Sequence, residues 1–209
     1  MSSINLENLT IPKSTNCRFL LSACPELESV TLPKNATFIH SMIFGECSKL
    51  KNVDIPDTVT TIGYGAFRGC TSLESITIPA SVETIGDSAF RQCKNLTDVN
   101  IQNDPTNTTS PASLKTIGPN AFKNCKKLKN INIPDSVTRI GESAFMSCTS
   151  LESLTLPDSV TRIENEAFAS CERLKNITIP DSVTYIEDEV FNGCTNLESI
   201  KLPESLENI

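Results

Sequence analysis

Apolar positions along the chain return at fixed places. One unit runs Leu73-x-x-Ile76-x-Ile78-Pro79, continues as Ser81-Val82-x-x-Ile85-Gly86, and closes as Ala89-Phe90-x-x-Cys93-x-x-Leu96, where the next begins. The alternation of Ile76 and Ile78 with polar neighbours predicts a half-buried strand, ended by a proline that has no N–H for the ladder. The Ser-Val-x-x-Ile stretch predicts a second short extended segment on an opposite wall. The Ala-Phe-x-x-Cys stretch predicts one helical or 3₁₀ turn with Phe and Cys inward. Cys24, Cys47, Cys70, Cys93, Cys125, Cys148, Cys171 and Cys194 keep a 23-residue period, except for a 32-residue step between Cys93 and Cys125. Phe44, Phe67, Phe90, Phe122, Phe145, Phe168 and Phe191 keep the same time, three residues ahead of each cysteine. Gly63, Gly86, Gly118 and Gly141 give way to Glu164 and Glu187 in later copies, so this place does not demand a positive φ.

One unit cannot bury its own apolar residues, but stacked units can, because each coil then meets an identical neighbour. About eight coils at the spacing of paired strands, ~4.8 Å, give a rod or shallow arc roughly 40 Å long. The whole chain, residues 1–209, is expected to be one domain. Residues 1–23 form a degenerate first repeat or cap, with Cys17, Phe19 and Leu20 out of step. Leu6–Pro12 already reads as the strand of a repeat, and the chain stops at Ile209 on a repeat sequence, so a section of a longer array is expected.

The pattern L-x-x-I-x-I-P-x-S-V-x-x-I-G-x-x-A-F-x-x-C resembles the BspA-like, or Treponema pallidum type, leucine-rich repeats, from Leu6 to Ile209. The resemblance implies an α/β fold class: a right-handed leucine-rich-repeat solenoid with a concave parallel sheet, short convex strands and short helical or 3₁₀ turns. It also implies a place among bacterial and protist surface proteins, often adhesins that bind host or matrix proteins. The family carries no catalytic motif, so none is transferred.

Composition narrows the function further. The net charge is −7 and the pI about 4.8, with no strongly basic stretch, which disfavours nucleic acid. No apolar run approaches the ~20 residues of a membrane helix, and the N-terminus lacks the basic start and apolar core of a secretion signal. One histidine, His40, with no nucleophile constellation and no phosphate-cradling glycine loop, points away from an enzyme and from any cofactor. Eight of the nine cysteines share one inward place without a C-x-x-C pair, which suits a buried thiol ladder better than zinc or disulfides. Free thiols fit a reducing compartment, whereas the resemblance favours the cell surface, so the compartment stays open. The row Asp57, Asp135, Asp158, Asp181 and Glu204 follows the strand prolines. Asx turns explain it better than calcium, and no metal is expected.

Three rows of side chains point out from the long-strand wall. The first, Glu28, Lys51, Glu74, Thr97, Lys129, Glu152, Lys175 and Glu198, nearly alternates in sign, and each opposite pair is worth about 0.2–1 kcal/mol. The second and third rows supply the candidate binding residues: Ser75, Asp98, Asn130, Ser153 and Asn176, and Thr77, Asn100, Asn132, Thr155 and Thr178. They are small and polar, without the aromatic anchors usual at interfaces. The nine extra residues between Cys93 and Cys125 fall within 102–113, a rim loop where Asn103, Asp104, Asn107 and Thr108 are further candidates. Asn107 heads the most accessible N-x-[ST] sequon. Tyr64, Tyr185, Arg139 and Arg162 are expected near the opposite wall or its turns, as an alternative patch with solvated surface residues the blander reading. The expected function is a non-enzymatic scaffold that binds a protein, such as a host or matrix protein, or a glycan. A structural spacer or an array that self-associates through its ends is the alternative.

Overall fold

The computed structural model describes residues 2–5, 20–103 and 112–206. In chain order the strands are β1 (Ser3–Asn5), β2 (Ser29–Thr31), β3 (Phe38–Ile39), β4 (Asn52–Asp54), β5 (Thr61–Ile62), β6 (Ser75–Ile78), β7 (Thr84–Ile85), β8 (Asp98–Ile101), β9 (Thr116–Ile117), β10 (Asn130–Ile131), β11 (Arg139–Ile140), β12 (Ser153–Thr155), β13 (Arg162–Ile163), β14 (Asn176–Thr178) and β15 (Ser199–Lys201). All pairings are parallel, and from β2 onward they join equivalent residues of successive coils. Two walls result. The even-numbered strands, with β1 and β15, form the first. The odd-numbered strands β3 to β13 form the second, one continuous six-stranded sheet. The strand that opens the first wall is Ser3–Asn5, paired with Ser29–Thr31. Leu6–Pro12, Cys17 and Phe19 lie outside the described residues.

The expected helical turn is not there: the described residues contain no helix. The Ala-Phe-x-x-Cys stretch is instead a third wall of consecutive turns. In one coil, Ala66, Arg68 and Cys70 donate their N–H groups three residues back, to Gly63, Gly65 and Phe67, at 3.3, 3.0 and 3.1 Å. The intervening amides of Gly65, Phe67 and Gly69 donate to Asp87, Ala89 and Arg91 of the next coil at 2.9, 2.8 and 2.8 Å. Alternate amides thus serve the coil and its neighbour. The backbone turns left-handed two residues before and two after each Phe, as at Gly65 (φ 55°) and Gly69 (φ 72°), or Asn120 (φ 53°) and Asn124 (φ 64°). A helix cannot propagate through such residues. The fold is therefore an all-β solenoid.

The core is what the period dictates. Phe44 to Phe168 are fully buried, and successive rings stack at 5.3–5.5 Å, widening to 5.8 Å between Phe168 and Phe191. Cys47 to Cys171 are also fully buried. Each thiol donates to a main-chain carbonyl of the preceding coil, for example Cys70 to Phe44 at 3.2 Å and Cys148 to Phe122 at 3.3 Å. Cysteine fits here because it is small and apolar yet carries a weak donor for an otherwise under-used acceptor. The described cysteines are all free, and Cys24 and Cys194 at the two ends are half-buried.

The glycine after the second strand is fixed by close approach, not by φ. A Cβ on Gly118 would lie 2.6 Å from the Ile85 carbonyl oxygen of the coil before. Where Glu164 takes this place, its N–H lies 3.1 Å from the Ile140 carbonyl, against 2.8–2.9 Å at the four glycines.

Candidate functional site

The ten candidate residues of the first wall, Ser75, Thr77, Asp98, Asn100, Asn130, Asn132, Ser153, Thr155, Asn176 and Thr178, are all exposed and point outward. Asn103 at the base of the rim loop is exposed as well. Asp104, Asn107 and Thr108, with the sequon, lie outside the described residues. Ile101 and Ala112, on either side of residues 104–111, are both buried. Gln102 and Ser113 are bonded back to Ile78 and Ala80 at 2.9 Å each, so the insertion leaves the coils in register.

Unlike the second wall, the first is not continuous. It is cut into three sheets, β1-β2-β4, β6-β8-β10 and β12-β14-β15. Lys51, Thr97, Lys129, Lys175 and Glu198 donate their N–H groups to the equivalent residue of the coil before, at 2.8–3.1 Å. Glu74 and Glu152, at the two cuts, make no such bond to Lys51 and Lys129. A cleft opens at each cut: about 370 Å³ between β4 and β6, and about 440 Å³ between β10 and β12. Their linings correspond residue for residue, with Asn52, Asp54, Asp57 and Thr77 in one matched by Asn130, Asn132, Asp135 and Thr155 in the other. Gln102, from the root of the insertion, joins the first. The apolar floor is slightly uncovered: Val53, Ile55, Ile133 and Leu154 are 6–9% exposed and Ile131 is half-buried, while Ile76 is 3% exposed.

The third outward row tracks the cuts. Junctions that follow Thr31, Thr77, Thr155 and Thr178 are paired in full. After Asp54 and Asn132 no ladder forms, and after Asn100 it shrinks to two residues. At the β8–β10 junction the Asn132 carboxamide takes the place of a peptide group, donating to the Ile101 carbonyl at 2.7 Å and accepting from the Ile101 N–H at 2.9 Å, and the backbone ladder there stops at two residues. Asx side chains compete with backbone pairing in this way, whereas β-branched Thr favours the extended ladder. Asn5 pairs in full, but it sits outside the 23-residue rhythm. Sequence reasoning missed the clefts although their signal, the alternation of Thr with Asx in one row, was in view.

Elsewhere on the first wall the polar side chains tie neighbouring coils together. Lys51 reaches Glu28 at 3.1 Å on the charged row, both ends well exposed. Asn130 donates to Asp98 at 3.0 Å. Hydrogen bonds from the Thr97 hydroxyl, and then from Asn130, hold Asp98 below its ordinary pKa. The row after the prolines is exposed, in turns closed by the main chain, such as Val137 N–H to the Pro134 carbonyl at 3.0 Å. No bond is made by the side chain of Asp57, Asp135, Asp158 or Asp181, so the expected Asx turns are absent. Among the described residues, no three His, Cys, Asp or Glu side chains gather closely enough to hold a metal ion.

On the second wall, Arg139 and Arg162 are not merely solvated. Arg139 grips the buried Glu164 with two bonds, Nε to Oε1 at 2.8 Å and Nη2 to Oε2 at 3.0 Å. Arg162 pairs with both Glu164 and Glu187, at 3.1 and 3.0 Å. Tyr64 and Tyr185 are exposed on this side.

A family model described as the BspA type leucine rich repeat region matches residues 16–112 and 103–209. The chain is similar to the leucine rich repeat protein of T. pallidum, with 32% identity over 84% of this chain and 70% of that one and a TM-score of 0.65. It is also similar to a leucine-rich repeat protein from Eubacterium ventriosum, with 28% identity over 92% of this chain and half of that one and a TM-score of 0.76. A third, from Bacteroides ovatus, shares the fold at 23% identity and a TM-score of 0.52; this chain spans 62% of its length. No curated protein matches the sequence.

Proposed function

The chain belongs to the BspA-type leucine-rich-repeat family, and from that premise we propose that it is a non-enzymatic, adhesin-like scaffold whose first wall binds another protein. One observation carries this reading. The second and third outward rows form a broad exposed polar surface on a backbone held rigid by the Phe stack and the second-wall sheet. Repeat arrays present such surfaces to partners, with affinity spread over many positions. The absence of aromatic anchors on these rows suits a wide contact of modest energy per residue. The right-handed, concave geometry implied by the sequence resemblance belongs to the same proposal.

The test is capture of a candidate matrix protein on a surface coated with the chain. Thr178→Lys and Asn100→Lys, both at exposed positions, are expected to lower capture at least tenfold without changing the fold. Equal capture by wild type and both variants would overturn the reading.

A further inference from the structure

We propose that the two first-wall clefts are paired subsites for the cationic side chains of an extended peptide lying along the stack. This rests on the first wall being the binding face and names what part of that face recognises. Both clefts have the volume of small-ligand sites. Both are lined by carboxylate, amide and hydroxyl groups over a thin apolar floor. No Lys or Arg lines either one. Asp54 and Asp57 stand at the first and Asp135 at the second, and their side chains have no ion-pair partner. At each cut the main-chain acceptors that a neighbouring strand would occupy are open, including the Lys51 and Lys129 carbonyls. An ammonium or guanidinium group carries only donors and a positive charge, so it answers both features. The clefts cannot admit a whole strand, because the Phe stack behind them keeps its 5.3–5.5 Å step across both cuts. A side chain entering from above fits that limit.

The spacing sets the ligand. Three coils separate the clefts, and the ring stack advances 5.4, 5.3 and 5.3 Å over them, about 16 Å. An extended peptide rises about 3.3 Å per residue and sends alternate side chains to one face, so residues four positions apart face the wall about 13 Å from each other, and the long lysine side chains reach the rest of the way. Engaging both clefts at once multiplies the affinity of either alone.

The experiment is fluorescence anisotropy with labelled Ser/Thr peptides carrying two lysines four positions apart. Comparison peptides carry lysines two apart, or glutamates in their place, and a neutral oligosaccharide serves as competitor. Tight binding is expected for the four-apart lysine peptide only, weakening as salt rises. D54T and N132T each place threonine where it completes the ladder at other junctions. Each is expected to close one cleft, protect the Glu74 or Glu152 amide from exchange, and weaken binding at least about tenfold. D57N and D135N remove charge while leaving the ladder untouched and are also expected to weaken binding. Equal affinity for the lysine and glutamate peptides, unchanged binding by D54T with D57N and by N132T with D135N, or displacement by the oligosaccharide would each overturn the proposal. The Thr178→Lys and Asn100→Lys positions lie outside both clefts. A protein partner lost in those variants, beside a lysine peptide that fails to bind, sinks the clefts and spares the binding face.

Discussion

The thiol ladder shows how much one repeated residue settles. Burial pushes the Cys93 thiol up to about 12 and raises Cys70, Cys125 and Cys171 well above their usual value. A folded-state pKa above the unfolded value means that the native chain holds protons the unfolded chain releases. The stability these thiols lend is complete below about pH 9 and is lost as pH climbs toward 12. Stability measured by urea is expected to be flat from pH 7 to 8.5 and to fall thereafter by on the order of 1 kcal/mol per pH unit for each buried thiol. The same residues should resist alkylation at pH 8 until the chain unfolds, while half-buried Cys24 and Cys194 react first. At the neighbouring place Phe122 is fully buried between two rings. Phe122→Ala is expected to cost about 3–5 kcal/mol in urea unfolding.

Strands and turns were legible to different degrees. The period-2 apolar pattern with its proline stop placed the first-wall strands and the Ser-Val-x-x-Ile stretch the second, because a parallel ladder needs only in-register apolar residues on one side. The third wall was misread as helical. Its apolar spacing, Phe and Cys three apart, fits a helical turn, but the left-handed residues two before and two after each Phe decide the backbone. None of those places holds a β-branched residue, which was a usable signal. The Arg139–Glu164 pair was also hidden, since its partners lie 25 residues apart and on different coils. Glu164 here replaces the glycine that the other coils press against, and the two-pronged Arg contact helps to hold it. A double-mutant cycle of Arg139→Thr and Glu164→Gly is expected to show a favourable coupling of about 1–2 kcal/mol that shrinks in 1 M salt; strictly additive effects would remove the pair from the account. Gly118→Ala has no such compensation and should cost roughly 1–3 kcal/mol, because its Cβ would strike the backbone of the coil before.

At the scale of the whole molecule, the three walls carry unequal loads. The second wall and the Phe stack run through every cut, so coil stacking does not depend on the first wall being complete. That freedom lets the first-wall ladder lapse after Asp54 and Asn132, at a place that holds Thr before the full ladders of later coils. The period foretold the stack but not its interruptions, because a repeat consensus erases the differences between coils that create them. Native-state hydrogen exchange, resolved residue by residue, tests this most directly. Slow exchange is expected at the amides of Thr97, Lys129, Lys175 and Glu198 and through the second wall, with Glu74 and Glu152 exchanging orders of magnitude faster. Uniform protection along the first wall, or equally fast exchange at all its junctions, would contradict the account.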